Sequence, residues 1–315
     1  MTTERTDVTG TGAGAEPAVA GPGSPMVART RAELRTARAA LDDGDVAVVM
    51  TMGALHDGHA TLIRRARETH AHVVVTIFLN PLQFGPKEDL SRYPRTFDAD
   101  LEICSAAGVD LVFAPTPDVI YPDGDPGVRL SAGPLGDVLE GQSRPGHFDG
   151  MLTVVAKLMH LTRCTSAYFG QKDAQQLLLI RRMVRDLDFP VRVVSVPTVR
   201  EPDGLAMSSR NTYLTASDRE TALCLSSALR AGAAAAVEGP SAIRRAAREV
   251  LVHEPLALID YLVLVHPETL QDVPEWYRGE ALLAVAGRVG TTRLIDNLPV
   301  MVGPGGGPLD VFTHD

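Results

Sequence analysis

The feature that most constrains this chain is an alternation between short, continuous apolar runs and segments with helical spacing. The runs are VAVVM (46–50), HVVVTIFLN (72–80), VDLVFAP (109–115), SAYFG (166–170) and VRVVSVPTV (191–199). A strand that is apolar throughout, and not only at alternate residues, is buried on both faces. Between the runs lie ATLIRRARETH (60–70), FDADLEICSAAG (97–108), GMLTVVAKLMHLTRCT (150–165) and DAQQLLLIRRMVRDLDF (173–189), all with helical patterns. An earlier helix, RTRAELRTARAALDD, puts Leu34 and Leu41 on one face. Together these predict an α/β fold: a Rossmann-like, doubly wound parallel sheet of five strands. Ligands of such sheets bind beyond the carboxyl ends of the strands, near the point where strand order reverses.

The pattern changes near residue 200. TASDRETALCLSSALRAGAAAAVEG (215–239) reads as a helix, with Thr215 as N-cap and Asp218 three residues on. A further helix follows, and then IDYLVLVHPETL and ALLAVAGRVGTTRLIDNLPV read as strands joined by turns. We therefore expect a tail over 1–27, a Rossmann-like domain over 28–199, a smaller C-terminal α+β lid domain over 200–302, and a flexible tail over 303–315. The first 25 residues are rich in Gly, Thr, Ala and Pro, without a basic stretch leading into an apolar one, and read as disordered.

Composition narrows the function classes. A formal charge of −9 lacks the broad basic field that nucleic-acid binding needs, though a local cluster of donors can still hold a small anion. Cys104, Cys164 and Cys224 form no CxxC pair, which suits buried free thiols in a reducing cytoplasm better than a disulfide framework or a cysteine-rich metal site. No apolar run reaches the ~18 residues of a membrane span.

The polar motifs all follow strands. After the first comes MGALHDGH (52–59), where glycines and the free N–H groups of a helix N-terminus make a ready anion site, and His56 and His59 add imidazole donors that can change charge near neutral pH. Zinc is a weaker reading, because His-x-x-His has no third ligand at a clear spacing. FLNPLQFGPKEDLSRYPRT (78–96) offers Asn80, Gln83 and Tyr93, and residues 81–92 are long enough to act as a lid. YFGQKDAQQLLLI (168–180) brings Gly170 for a turn, Lys172 for anions, Asp173 as a helix cap or ribose ligand, and Gln176 over the sheet edge. VREPDGLAMSSRNTYL (199–214) places two serines before Arg210, a phosphate-binding set.

An HxGH turn after the first strand and a Met-Ser-Ser-Arg segment after the last resemble the HIGH and KMSKS pair of the nucleotidyl-transferring α/β superfamily. Within it, TMGALHDGH, NPLQF, YPRT, FGQKDAQQ and DGLAMSSRN together resemble the pantoate–β-alanine ligases, over roughly residues 46–300. The resemblance implies an AMP-forming acid–amino-acid ligase of vitamin B5 biosynthesis, with ATP, pantoate and β-alanine as substrates and a pantoyl-adenylate intermediate. It also implies Mg²⁺, a homodimer, and no nucleic-acid or membrane partner. Carried over by motif, Met52, Gly53, Ala54, Leu55, His56, Asp57, Gly58 and His59 would bind ATP, His59 as proton donor. Gly170, Gln171, Lys172, Asp173, Val199, Met207, Ser208, Ser209 and Arg210 would complete the ATP site. Gln83 and Gln176 would bind pantoate, and Gln83 also β-alanine; His56, His59, Lys172 and Arg210 would carry the chemistry.

Two positions depart from the pattern. Gln171 stands where many members carry Glu. Ala99 breaks the acidic run around Asp100, so Mg²⁺ is expected mainly through the ATP phosphates and Asp100 is not counted on as a ligand. Two rival classes are a nucleotidylyltransferase or synthetase fragment, and a non-catalytic nucleotide binder. The first would usually bring a basic tRNA-binding domain, and the second would not need His59, Lys172 and Arg210 together.

Overall fold

The computed structural model describes residues 23–41, 44–85, 90–91 and 93–312. The N-terminal part is built on a six-stranded parallel sheet: β1 (Met26–Ala28), β2 (Val46–Thr51), β3 (His72–Ile77), β4 (Leu111–Phe113), β5 (Ser166–Gly170) and β6 (Arg192–Val196). Their spatial order is β1-β4-β3-β2-β5-β6. Helices α1 (Arg31–Ala40), α2 (Asp57–Thr69), α3 (Phe97–Ala106), α4 (Pro117–Ile120), α5 (Glu140–Ser143), α6 (His147–Thr162) and α7 (Ala174–Asp186) connect and cover it. Burial on both faces explains the continuous apolar runs. Val46 and Val48 join one core with Phe113, Phe169 and α6, whereas Ala47 and Val49 join another with Ile63 of α2 and Cys104 of α3.

The expected α/β class holds, with one more strand than expected. β1 is itself the edge strand, pairs in parallel with β4, Met26 opposite Leu111, and lies where the tail was expected to run to residue 27. A three-residue strand has too short an apolar pattern to be seen in sequence.

Strand order reverses at β2. The chain steps from β2 to β3 on one side and later returns as β5 on the other, with Val49 beside Tyr168. The carboxyl ends of these two neighbours therefore deliver the 52–59 turn and the 170–173 turn to the same place. Motifs more than a hundred residues apart in sequence meet there for that reason.

The C-terminal part packs α8 (Ala216–Ala234) and α9 (Pro240–Val252) on an antiparallel sheet of β7 (Ala257–Val265), β8 (Gly279–Val289), β9 (Thr292–Val302) and β10 (Gly307–Pro308). Thr215 caps α8 through a reciprocal box with Asp218, as expected. The expected flexible tail over 303–315 is corrected for its described part. β10 pairs with β9, Gly303 N–H donates to Ala236 O at 3.0 Å, Leu309 N–H donates to Pro299 O at 2.8 Å, and Phe312 is buried. Residues 1–22 and 313–315, parts of the expected tails, lie outside the described residues.

The two parts are joined by charge. Arg293 on β9 makes a bidentate pair with Glu140 on α5, at 2.6 and 2.8 Å, and the Tyr261 hydroxyl of β7 donates to the same carboxylate at 2.9 Å. Bidentate guanidinium–carboxylate pairs fix orientation as well as distance.

Candidate active site

The 52–59 turn ends in an N-cap made of imidazoles. His56 is the N-cap of α2, and its Nδ1 accepts from Gly58 N–H at 3.1 Å; His59, three residues on, accepts from His56 N–H through its own Nδ1 at 3.3 Å. This is a capping box with histidines where Ser or Thr and Glu or Gln usually stand. An amide N–H can only donate, so each Nδ1 must be unprotonated, and in each neutral ring the proton sits on Nε2. The turn thus presents two imidazole Nε2–H donors, with ring centroids 4.1 Å apart. Gly58 makes this possible, since a Cβ there would lie 2.8 Å from Cε1 of His56 and displace the ring.

Both imidazoles are held neutral. Burial, and then the charge of Lys172, lowers His56; burial, and then the neighbouring His56, pushes His59 down to about 3. The expectation that these rings change charge near neutral pH is therefore corrected for His59. So is the expectation of free backbone donors at this turn. The N–H groups of Gly53, Ala54, Leu55, His56 and Gly58 are all engaged within the protein. An anion at this turn is met mainly by side chains.

Asp100 explains part of that engagement. Its carboxylate is 1% exposed and accepts from Leu55 N–H at 2.8 Å, Ala54 N–H at 3.1 Å and the Thr96 hydroxyl at 3.0 Å. It thereby holds a turn in which Gly53 and Ala54 both have positive φ, 85° and 51°. A carboxylate spent in this way is a scaffold for the histidine turn and does not fit a metal ligand. No group of three or more acidic, His or Cys side chains suited to a metal is found among the described residues. Asp100→Asn keeps the shape but sets an amide N–H against a backbone donor. We expect it to cost about 1–3 kcal/mol, the penalty of an unsatisfied buried donor. Chemical denaturation would measure that loss, and raising Mg²⁺ should not restore activity.

A cavity of about 240 Å³ opens at the switch point. It is lined by Met52, His56, Gly58 and His59 from the first motif, Gln83 from the second, and Gly170, Lys172, Asp173 and Gln176 from the third. Val199, Met207, Ser208, Ser209 and Arg210 form the remaining wall. Gly53, Ala54, Leu55, Asp57 and Gln171 do not line it. The first three shape the turn, and the Gln171 side chain is buried, its amide atoms finding no hydrogen-bond partner among the described residues. Asp173 occupies the N-cap position of α7 without a side-chain cap bond; its carboxylate lies 3.7 Å from Lys172 Nζ. Gln175 points away and donates to Leu135 O and Val138 O, both at 2.8 Å.

Gln83 is fixed from several sides. Asn80 donates to Gln83 Oε1 at 3.1 Å and to Gly150 O at 3.1 Å, and the Tyr121 hydroxyl donates to Asn80 Oδ1 at 2.9 Å. Gln83 Nε2 lies 2.9 Å from Met52 Sδ. His147 Nδ1–H donates to Gln83 O at 2.8 Å, while Arg144 reaches the same oxygen at 3.3 Å and His147 Nε2 at 3.0 Å. Sequence reading passed over Arg144 and His147, although both line the cavity. The signal available was the polar stretch SRPGH (143–147), which leads into α6. Tyr93 lines the cavity too, its hydroxyl 3.2 Å from Ser209 Oγ. Of the expected lid over 81–92, residues 81–83 form a single tight helical turn, and 86–89 and 92 lie outside the described residues.

A family model described as pantoate-beta-alanine ligase matches residues 26–299, most of the chain. The chain belongs to the pantoate–β-alanine ligase family. It is therefore an amide-forming ligase by family. The pantothenate synthetase of Streptomyces avermitilis is 54% identical over 325 aligned positions, covering 86% of this chain and 98% of that protein. That of Salinispora arenicola is 59% identical, covering 87% and 97%. Among solved structures, pantothenate synthetase from Thermus thermophilus matches with a TM-score of 0.83 at 50% identity, covering 88% of this chain and 99% of that one. Pantoate-beta-alanine ligase from Francisella tularensis, complexed with beta-gamma ATP and beta-alanine, matches with a TM-score of 0.72 at 34% identity, covering 87% and 97%.

Proposed function

We propose that this chain condenses pantoate with β-alanine at the expense of ATP, through a pantoyl adenylate. The observation that carries the reading is the convergence of His56, His59, Lys172 and the Ser208–Arg210 segment on one cavity that also holds Gln83 and Gln176. A pantoate carboxylate oxygen attacks the α-phosphorus of ATP, and the bond to pyrophosphate breaks. The β-alanine amine then attacks the acyl carbon, AMP leaves with its bonding electrons, and the nitrogen gives up a proton to form the amide.

The first step drives one anion onto another, so it needs donors aimed at the phosphates. Lys172 and Arg210 supply charge; the Nε2–H groups of His56 and His59 supply fixed dipoles that need no reorganisation. Gln83 and Gln176 are neutral amides, suited to pantoate's hydroxyls without adding charge beside the reacting carboxylate. Apolar side chains such as Phe78, Met151 and Val154 line part of the cavity and limit the water that can compete for the activated acyl group. Mg²⁺ belongs with the ATP phosphates, since Asp100 is committed elsewhere.

The resemblance also supports a homodimer working in the cytoplasm. Its three cysteines are buried, free thiols, and burial raises all three, Cys104 to about 12 and Cys164 and Cys224 to about 11, so they are poor nucleophiles. Among the described residues no helix is long and apolar enough to cross a membrane.

The test is isotope exchange between pyrophosphate and ATP, with one acid supplied at a time. We expect exchange with pantoate in the absence of β-alanine. Exchange with a different acid only would keep the adenylate chemistry and overturn the substrate.

A further inference from the structure

Two adjacent residues of β9, Asp296 and Asn297, hold the two nucleotide-facing segments from the C-terminal part. Neither lines the main cavity. Both are 4% exposed. Consecutive side chains on a strand point to opposite faces, so a neighbouring pair can grip two different segments.

Asn297 grips the turn that carries Lys172. Its Nδ2 donates to Gln171 O at 3.1 Å and to Lys172 O at 2.7 Å. Carbonyls only accept, so the amide nitrogen must face them, and both its hydrogens are used. The turn Gln171–Asp173 and the start of α7 have no side-chain cap of their own. The hold therefore comes from β9.

Asp296 grips the hairpin that leads to Ser208–Arg210. It receives both ends of the Arg200 guanidinium, at 2.6 and 3.0 Å, and also Asn297 N–H at 2.8 Å. Arg200 begins the hairpin, bridging Ala206, and Met207 N–H donates to Val199 O at 2.9 Å. Fixing Arg200 thus fixes the strand pair whose ends, Val199 and Met207, line the cavity.

We infer that Asp296 and Asn297 are positioning residues for ATP, setting the Lys172 turn and the 207–210 segment relative to each other. This rests on the function proposed above. It also means that the C-terminal part acts on the nucleotide site through β9 as a frame, as well as through the segment that touches the cavity.

The sharpest test is Asn297→Asp, which keeps the shape but replaces two donated hydrogen bonds with a carboxylate facing two carbonyls. Asn297→Ala serves as the second variant should the first fail to fold. We expect kcat/KM for ATP, read in pantoate-dependent exchange, to fall about 100-fold, as for a displacement of about 1 Å. KM for pantoate should change less than about threefold, the differential binding a local effect predicts. Asp296→Asn should lose about tenfold or more, the scale of one charge-assisted hydrogen bond. ATP affinity measured by calorimetry without pantoate gives a readout independent of the substrate assignment. Wild-type ATP affinity and kcat/KM in Asn297→Ala would overturn the inference. So would equal losses for ATP and pantoate that track a lowered unfolding midpoint. A wild-type protein that binds ATP but shows no exchange with pantoate would overturn the function while calorimetry still judged Asn297.

Discussion

His59→Ala is expected to slow pantoate-dependent exchange by about 10²–10³-fold, the scale of removing one preorganised donor from a developing charge. ATP affinity should fall much less. The more informative variant is His59→Gln. Glutamine at the third helical position is the usual partner in a capping box. It can accept from His56 N–H with its oxygen and present an amide N–H where Nε2 stood. His59 is pushed down to about 3, so in the role proposed for it the ring would meet substrate at pH 7 as a neutral hydrogen-bond donor. On that basis His59→Gln should run at least about tenfold faster than His59→Ala, since it restores the donor. If a proton must leave the ring during the reaction, glutamine cannot supply it and the two variants will be equally slow.

The same lowered value fixes a pH dependence. The unfolded chain takes up a proton on this ring near 6.5, whereas the folded chain resists uptake until about 3. Between those values the unfolded state binds more protons. The stability tied to a neutral His59 is thus complete above pH 6.5 and is lost as pH falls from 6.5 toward 3. Denaturant midpoints measured across that window should fall less steeply in His59→Gln. An unchanged slope would mean that the ring titrates near its ordinary value.

Much of this architecture was legible in the sequence because burial leaves a pattern. Strands covered on both faces cannot hide their apolar runs, so β2 to β6 were readable, and the switch-point rule placed the motifs at their carboxyl ends. β1 was not readable, since three residues on an edge carry too little periodicity. The pairing of β10 was not readable either, because its strand is two residues in a glycine-rich run and is held by backbone bonds. At the site, residues belonging to contiguous motifs were found. Arg144, His147, Asp296 and Asn297 were missed because their meaning lies in what the fold brings beside them. The HxGH pattern suggests glycines and a helix N-terminus baring backbone donors to an anion, whereas the N–H groups of Gly53, Ala54, Leu55, His56 and Gly58 are engaged by Thr51, by Asp100 and by the imidazoles themselves.

Gly150→Ala is expected to abolish useful pantoate binding while leaving ATP binding nearly intact. On helix propensity alone alanine should stabilise α6 by about 0.5–1 kcal/mol. The surroundings reverse the sign. A Cβ at 150 would lie 2.1 Å from Leu82 O, 2.4 Å from Leu82 C and 2.9 Å from Gln83 N, all backbone atoms that no side-chain rotation can clear. The Pro81–Gln83 turn must then lift by about 1 Å, which costs about 1–3 kcal/mol as overpacking and can cost about 10²-fold in a positioned group. Gln83 would leave the Met52 sulfur and the His147 imidazole that hold it at 2.9 and 2.8 Å. The wall proposed to hold the nucleotide, formed by Lys172 and the 207–210 segment, belongs to other elements and stays in place. KM for pantoate should therefore rise about 100-fold with calorimetric ATP affinity within about threefold of wild type, because the displaced group sits on one wall only. A folded Gly150→Ala protein with an unchanged pantoate KM would remove Gln83 from the pantoate site. Equal losses for both substrates would instead mean that α6 itself had shifted, carrying His147 and the cavity floor with it.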